Sequence, residues 1–194
     1  MHPNYSIAPP LISRRLTLQT CALLPVLLPA LVASCTADGA NAQGVNRVAY
    51  EVTPWPGPVS GLGLVDTTGK TWQSSDLQGR AVLLNFWASW CEPCRAEMPT
   101  LQQVADLYGP EKLLVLAINF KESAASALRF ANTTGVHLPV LLDTTGKVAG
   151  QWGVKVFPTT LMMDYRGRAR HRIKGEVDWT SSAAGQMIEG LLKP

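Results

Sequence analysis

The chain has 194 residues, 46% of them hydrophobic, and a formal net charge of +3. That length holds one ordinary domain plus extensions, and the composition is globular rather than disordered or fibrous. Two of the 17 basic residues, Arg14 and Arg15, precede residue 35 and no acid does, leaving 15 basic against 14 acidic side chains, so near to neutral as to argue against nucleic acid as a partner.

In chain order, residues 1–34 read as an export signal. "SRRLTLQT" supplies positive charge and "CALLPVLLPALVA" an apolar core. That core is too short to span a bilayer, which needs about 20 residues, but suits a signal peptide. Ser13-Arg14-Arg15 followed by Leu18 partly matches a twin-arginine signal, with Thr17 standing where a large apolar residue is usual. Val32-Ala33-Ser34-Cys35 resembles a bacterial lipoprotein cleavage box, which makes Cys35 the expected lipidation site. The alternative is ordinary cleavage after Ala40-Asn41-Ala42. A periplasmic protein held to a membrane by a lipid is the expectation. Residues 35–57 are rich in Ala, Gly, Asn and Pro and read as a flexible tether ending in "PWPGP".

Residues 58–194 are left for a folded domain. "GLGLVDTTGKTW" reads as a hairpin ahead of the core, and "AVLLNFW", residues 81–87, as a buried parallel strand. "CRAEMPTLQQVADLY" reads as a helix. Met98, Leu101, Val104, Ala105 and Tyr108 recur at helical spacing, Pro99 should kink it, and Gly109-Pro110 stops it. "KLLVLAINF" is a second buried strand, and "ESAASALRFANTTG" a helix ending at Gly135. "LPVLLD" leads to a short helical piece around Val148–Trp152. "TTLMMD" and "RARHRIKG" form a second hairpin, and "DWTSSAAGQMIEGLLK" is the closing helix. "DTTGK" occurs at 66–70 and 143–147 with different neighbours, which is shared turn chemistry rather than duplication. Arg166, Arg168, Arg170, Arg172 and Lys174 recur every second residue and would share one strand face. They are read as a solvated edge strand protected by charge, the alternative being contact with anionic lipid or an acidic partner.

The cysteines then sort themselves. Cys21 leaves with the signal and Cys35 is lipidated or removed, so the mature domain keeps Cys91 and Cys94. A bond across so short a loop removes little entropy from the unfolded chain and staples almost nothing. Tetrahedral zinc needs four ligands, and His137 and His171 show no ligand spacing to the pair. Redox exchange remains. Cys91 would sit where a strand end meets a helix N-terminus, whose free N–H groups and dipole favour a thiolate. Cys94, about one turn in, could attack a mixed disulfide on Cys91, and Pro93 stiffens that first turn at little cost in hydrogen bonds.

"FWASWCEPCRAEMP" resembles the thioredoxin superfamily, and more narrowly the TlpA/ResA-like membrane-tethered thiol–disulfide oxidoreductases. Trp90, Cys91, Pro93, Cys94 and Pro99 carry the broad likeness; Glu92, Arg95 and Glu97 carry the narrower one. In "KVFPTTLMMD", Pro158 fits the superfamily's cis-proline, flanked by Phe157 and Thr159. The resemblance implies an α/β thioredoxin fold: a central mixed β-sheet flanked by helices, with an N-terminal β-hairpin extension. It implies Cys91, Cys94 and Pro158 as the reacting core and Trp90, Pro93, Phe157 and Thr159 as the substrate surface. It implies no cofactor and no metal. The expected partners are a disulfide-containing exported protein such as an apocytochrome c or copper-site assembly protein, and a membrane thiol transporter as electron donor; the protein is expected to be monomeric.

Thioredoxin has a titratable Asp where this chain has Asn85, so the general base is open between Glu92 and Glu97. Glu92 lies between the thiols, and its charge should disfavour a Cys91 thiolate, which leans toward a reductant. Glu97 reads as a first-turn acid or a surface charge. Three rivals stand beside a reductase. An oxidase on the same fold would need a stabilised thiolate. A peroxidase of the peroxiredoxin type usually has Thr or Ser where Ala88 stands. A Cu(I) carrier would use the two soft thiols as ligands. Trp87 and Trp152 are expected to pack inside the domain, and Trp90 to face the substrate.

Overall fold

The structure, a computed structural model, describes residues 50–57 and 61–193; the export signal, Cys35 and most of the expected tether lie outside the described residues. Eight strands and four helices run in the order β1 (Tyr50–Pro54), β2 (Gly63–Val65), β3 (Thr71–Gln73), β4 (Ala81–Trp87), α1 (Glu92–Tyr108), β5 (Leu113–Phe120), α2 (Ala124–Thr134), β6 (Val140–Asp143), α3 (Lys147–Gln151), β7 (Thr159–Met163), β8 (Ala169–Gly175) and α4 (Ser182–Leu192). A 3₁₀ turn, Ser74–Leu77, follows β3.

Six strands form a mixed sheet in the order β1-β8-β7-β4-β5-β6. The β4–β5 and β5–β6 pairs are parallel, joined by helical crossovers, and the other three are antiparallel. β4 lies in the middle and is buried along its whole length, which is why "AVLLNFW" lacks the alternation of a half-exposed strand. Its side chains still alternate between two layers. Ala81, Leu83 and Trp87 face a core with Met98 and Leu101 of α1, Phe130 of α2 and Ile188 of α4. Val82, Leu84 and Phe86 face a second core with Leu64 and Trp72 of the β2–β3 hairpin and Val148 and Trp152 around α3. Asn85 falls on the α1 side, a polar residue in an apolar row. α1 runs on through Pro99 and ends at Gly109 with φ of 72°.

Two expectations need correction. Residues 50–57 are not tether. Tyr50–Pro54 pairs with β8 from Tyr50↔Gly175 to Pro54↔His171, and Trp55 is buried against Trp152 with ring centroids 6.0 Å apart. Pro54 ends the strand at a sheet edge, where its missing N–H costs no ladder bond. β8 is consequently not an edge strand, because β1 covers it. Nor do its cations form one solvated face. Arg168 and Arg170 lie 2.7 and 3.8 Å from buried Asp164. Arg172 donates to the Trp152 carbonyl at 2.6 Å and Lys174 pairs with Glu51 at 3.3 Å. A register shift at Met162/Met163 breaks the two-residue period opposite Ala169 and His171.

The hairpin, the order of the central elements and the stop at Gly135, in the left-handed conformation with φ of 68°, agree with the sequence reading. The closing helix starts later than the pattern indicates. Ser181 caps it by accepting from the Ala184 N–H, and Trp179 before it turns inward and is buried.

Candidate active site

The strand–helix junction after β4 holds both thiols. The Cys91 N–H donates to the Ala88 carbonyl at 3.1 Å, closing a turn with Ser89 and Trp90 at its centre. Cys91 is the N-cap of α1, and its sulfur accepts from the Cys94 N–H at 3.3 Å. One of the free N–H groups of the helix start is thus spent on sulfur rather than on a hydroxyl. The cysteines are joined as a disulfide with Cα atoms 5.3 Å apart. Cys91 retains 6% exposure and Cys94 none, so solvent reaches the first sulfur and not the second.

The surface beside Cys91 is aromatic. Trp90 is 66% exposed and meets Phe157 edge-on at 6.0 Å; Phe157 in turn packs on Phe120 at 4.7 Å. The Phe157–Pro158 peptide bond is cis. Trp90 and Phe157 thus stand side by side, and Pro93 is exposed. Thr159 is buried, and its hydroxyl donates to the Val156 carbonyl at 2.8 Å, so its side chain is not part of that surface. Pro158 is also buried, its carbonyl accepting from the Gly175 N–H at 3.0 Å.

The two acids left open as the general base lie in opposite surroundings. Glu92 is 88% exposed and faces Arg95 at 3.7 Å across one helical turn. Such an exposed pair is screened by water and weakly coupled to anything else. Glu97 is no surface charge: it is 1% exposed, on the α1 face shared with Cys94. The Asn85 amide donates to Glu97 Oε1 at 2.5 Å and to Thr160 Oγ1 at 3.0 Å, while the Val177 N–H donates to Glu97 Oε2 at 3.0 Å. Burial pushes the Glu97 carboxyl up from 4.5 to about 8; bonds from Val177 and Asn85 oppose the rise and the nearby Glu176 charge adds to it. Desolvation is the largest cause and outweighs the opposing hydrogen bonds. Asn85 cannot titrate, but it holds the acid that can. Sequence spacing left Glu97 open between a base and a surface charge, because its burial is decided by β4 and the Val177 segment rather than by its neighbours on α1.

Another acid escaped the sequence reading altogether. Glu122, just after β5, accepts from the Ser89 N–H and from the Asn119 amide, both at 2.7 Å, and from the Ser89 hydroxyl at 2.5 Å. Its contacts reach across 33 residues of sequence, beyond any local pattern.

Known proteins resemble this chain in sequence and fold. Residues 58–172 match the AhpC/TSA family. A thiol–disulfide oxidoreductase named ResA from Bacillus thuringiensis (strain Al Hakam) is 32% identical over 130 residues, covering 67% of this chain and 72% of the relative. Among solved structures, a putative thiol:disulfide interchange protein DsbE from Chlorobium tepidum superposes with a TM-score of 0.62 at 30% identity, covering 68% of this chain and 92% of that one. The exposed lipoprotein thioredoxin Etrx1 of Streptococcus pneumoniae superposes with a TM-score of 0.56 at 31% identity, covering 66% and 98%. With a thioredoxin-like sheet, a Cys-x-x-Cys pair at a helix start and these relatives, the chain belongs to the AhpC/TSA family and is a thiol–disulfide oxidoreductase of the DsbE/ResA type.

Proposed function

We propose that the enzyme works outside the cytoplasm as a reductase of disulfides in exported proteins. The observation that carries the direction is how little the site does for a thiolate. One backbone N–H reaches Cys91, Arg95 is turned toward Glu92, and Cys94 is wholly buried beside an acid. A strong oxidant is one whose reduced form is stabilised; here that stabilisation is sparse, and the dithiol tends to give up its electrons.

The reaction proceeds in two exchanges. The Cys91 thiolate attacks one sulfur of the target disulfide, and the other target sulfur leaves and takes up a proton. Cys94 then loses its proton, attacks the Cys91 sulfur and expels the second target thiol. Two electrons pass to the target, and the Cys91–Cys94 disulfide remains. Glu97, with a pKa of about 8 and one turn from Cys94, is the group suited to exchange that proton near neutral pH. Trp90 and Phe157 supply the apolar contact for the target, and the chain beside Pro158 supports it in extended form, as in strand addition. The pair would be re-reduced by a membrane thiol transporter, and apocytochrome c or copper-site assembly proteins are the target class expected from the resemblance. A lipid on Cys35 would hold the enzyme at the membrane; the exposed lipoprotein Etrx1 supports that reading by likeness.

The test is the reduction potential of the pair, titrated with dithiol buffers and followed by tryptophan fluorescence. A value at or below about −220 mV is expected. A value near about −120 mV would make the enzyme a disulfide-forming oxidase instead. Absence of any reversible transition would bring Cu(I) carriage by the two thiols to the front.

A further inference from the structure

We infer that Glu122 is a positioning residue for Cys91: it clamps the turn that delivers the attacking thiol to the start of α1. Ser89 is a central residue of that turn, and both its N–H and its hydroxyl donate to the Glu122 carboxylate. Asn119, fully buried on β5, holds the same carboxylate from behind. Three donors converge on a group whose four lone-pair sites suit them.

The arm that carries Glu122 is itself fixed. Lys121 is the only non-glycine residue with positive φ among the described residues, at 54°. A left-handed lysine costs free energy that its surroundings must offset. Here the Lys121 N–H donates to the Asp143 carbonyl at 3.0 Å. Phe120 and Lys121 also press on the turn at Gly146, so closely that a Cβ there would lie 2.6 Å from Lys121 Cε and 2.7 Å from the Phe120 ring. The reversal at Lys121 sends Glu122 back toward the β4–α1 turn. A clamped turn keeps the Cys91 sulfur within reach of the Cys94 N–H and Trp90 against Phe157. A free turn would lose both.

The other charges around Cys91 are Glu92 and Arg95 on α1, with Glu97 behind Cys94. Removing a nearby negative charge would by itself lower the Cys91 thiol pKa. Loss of the clamp would raise it, because the thiolate loses its ordered N–H donor. The sign therefore tells the two apart.

The experiment follows alkylation of the reduced enzyme by iodoacetamide from pH 5 to 9, with peptide mapping of the modified cysteine. In Glu122→Ala the midpoint should move up, and alkylation well below it should slow by about threefold, as for a half-unit shift. Glu122→Gln should stay within about twofold of the parent, because the Gln oxygen can take the Ser89 N–H and Asn119 donors and its amide can face the Ser89 hydroxyl. Ser89→Ala, which loses one of the bonds, should shift the midpoint upward by less; it serves if Glu122→Ala does not fold. An unchanged profile or a downward shift in folded Glu122→Ala or Ser89→Ala, or an equal defect in Glu122→Gln and Glu122→Ala, would overturn the inference. Mapping to Cys94 would instead overturn the assignment of Cys91 as attacking thiol, on which this inference rests.

Discussion

Replacing Glu97 by Gln should change how the stability of the oxidised protein depends on pH. The folded carboxyl titrates at about 8 and the unfolded one at 4.5. Between those values the folded protein holds a proton that the unfolded chain has lost. Stability therefore falls as pH rises through this window and levels off above it. At about 1.4 kcal/mol per unit the whole window amounts to about 5 kcal/mol, comparable with the entire stability of a small domain. Gln removes that dependence but has one acceptor oxygen for the two donors of Asn85 and Val177. One buried donor is left unpaired, at a cost of about 1–3 kcal/mol at every pH. The parent should thus be the more stable protein at pH 5 and the less stable at pH 8, so the two curves cross. Urea unfolding of both disulfide-bonded proteins at pH 5, 6, 7 and 8 measures this, since contributions shared by the two, such as His171, cancel in the difference. Parallel curves would refute the burial of an ionisable Glu97, and with it the proton route to Cys94.

Other perturbations separate the remaining roles. Cys94→Ser should leave Cys91 able to attack but unable to release, so a covalent complex with a disulfide-bearing protein should accumulate and vanish on adding dithiothreitol; Cys91→Ser should form none. Asp66 is buried, which alone would raise its pKa, but bonds from Thr68, Trp72 and Lys70 outweigh burial and hold it low. Asp66→Ala should therefore cost about 1–3 kcal/mol at neutral pH, with the difference from the parent shrinking as acid protonates Asp66, as urea unfolding would show. Trp87, fully buried and packed at a tilt on Phe130 with ring centroids 4.6 Å apart, should cost about 3–5 kcal/mol when cut to Ala, read as a lowered urea midpoint.

The apolar runs at 81–87 and 113–120, the helix stops at Gly109 and Gly135 and the tight cysteine pair made the fold legible in the sequence, because those signals act within a few residues. Tyr50–Pro54 was not legible, since an edge strand of five residues ending in proline shares the composition of a linker. Its partner lies more than a hundred residues downstream. The same distance hid the site's polar chemistry. Glu92 stood out because it lies between the thiols, yet water surrounds it. Glu97 and Glu122 draw their character from Val177 and Ser89, which only the folded sheet brings to them. The cations of 166–174 misled for the converse reason: a two-residue period assumes a regular strand, and a shifted register and Asp164 intervene.

The register of β1 has a consequence for reach. Following one row across the sheet, Phe86 on β4 lies opposite Thr159, Thr159 opposite Lys174, and Lys174 opposite Glu51. The polypeptide thus enters the sheet at the end where the disulfide sits, three strand spacings or roughly 14 Å from β4. The proposed anchor upstream of Tyr50 would pull on the reacting end and not on its opposite pole. With the lipid proposed for Cys35 in place, the length of the segment before Tyr50 would set the effective concentration of Cys91 near the membrane, so shortening or lengthening that segment would tune encounter rates without altering a single atom of the site.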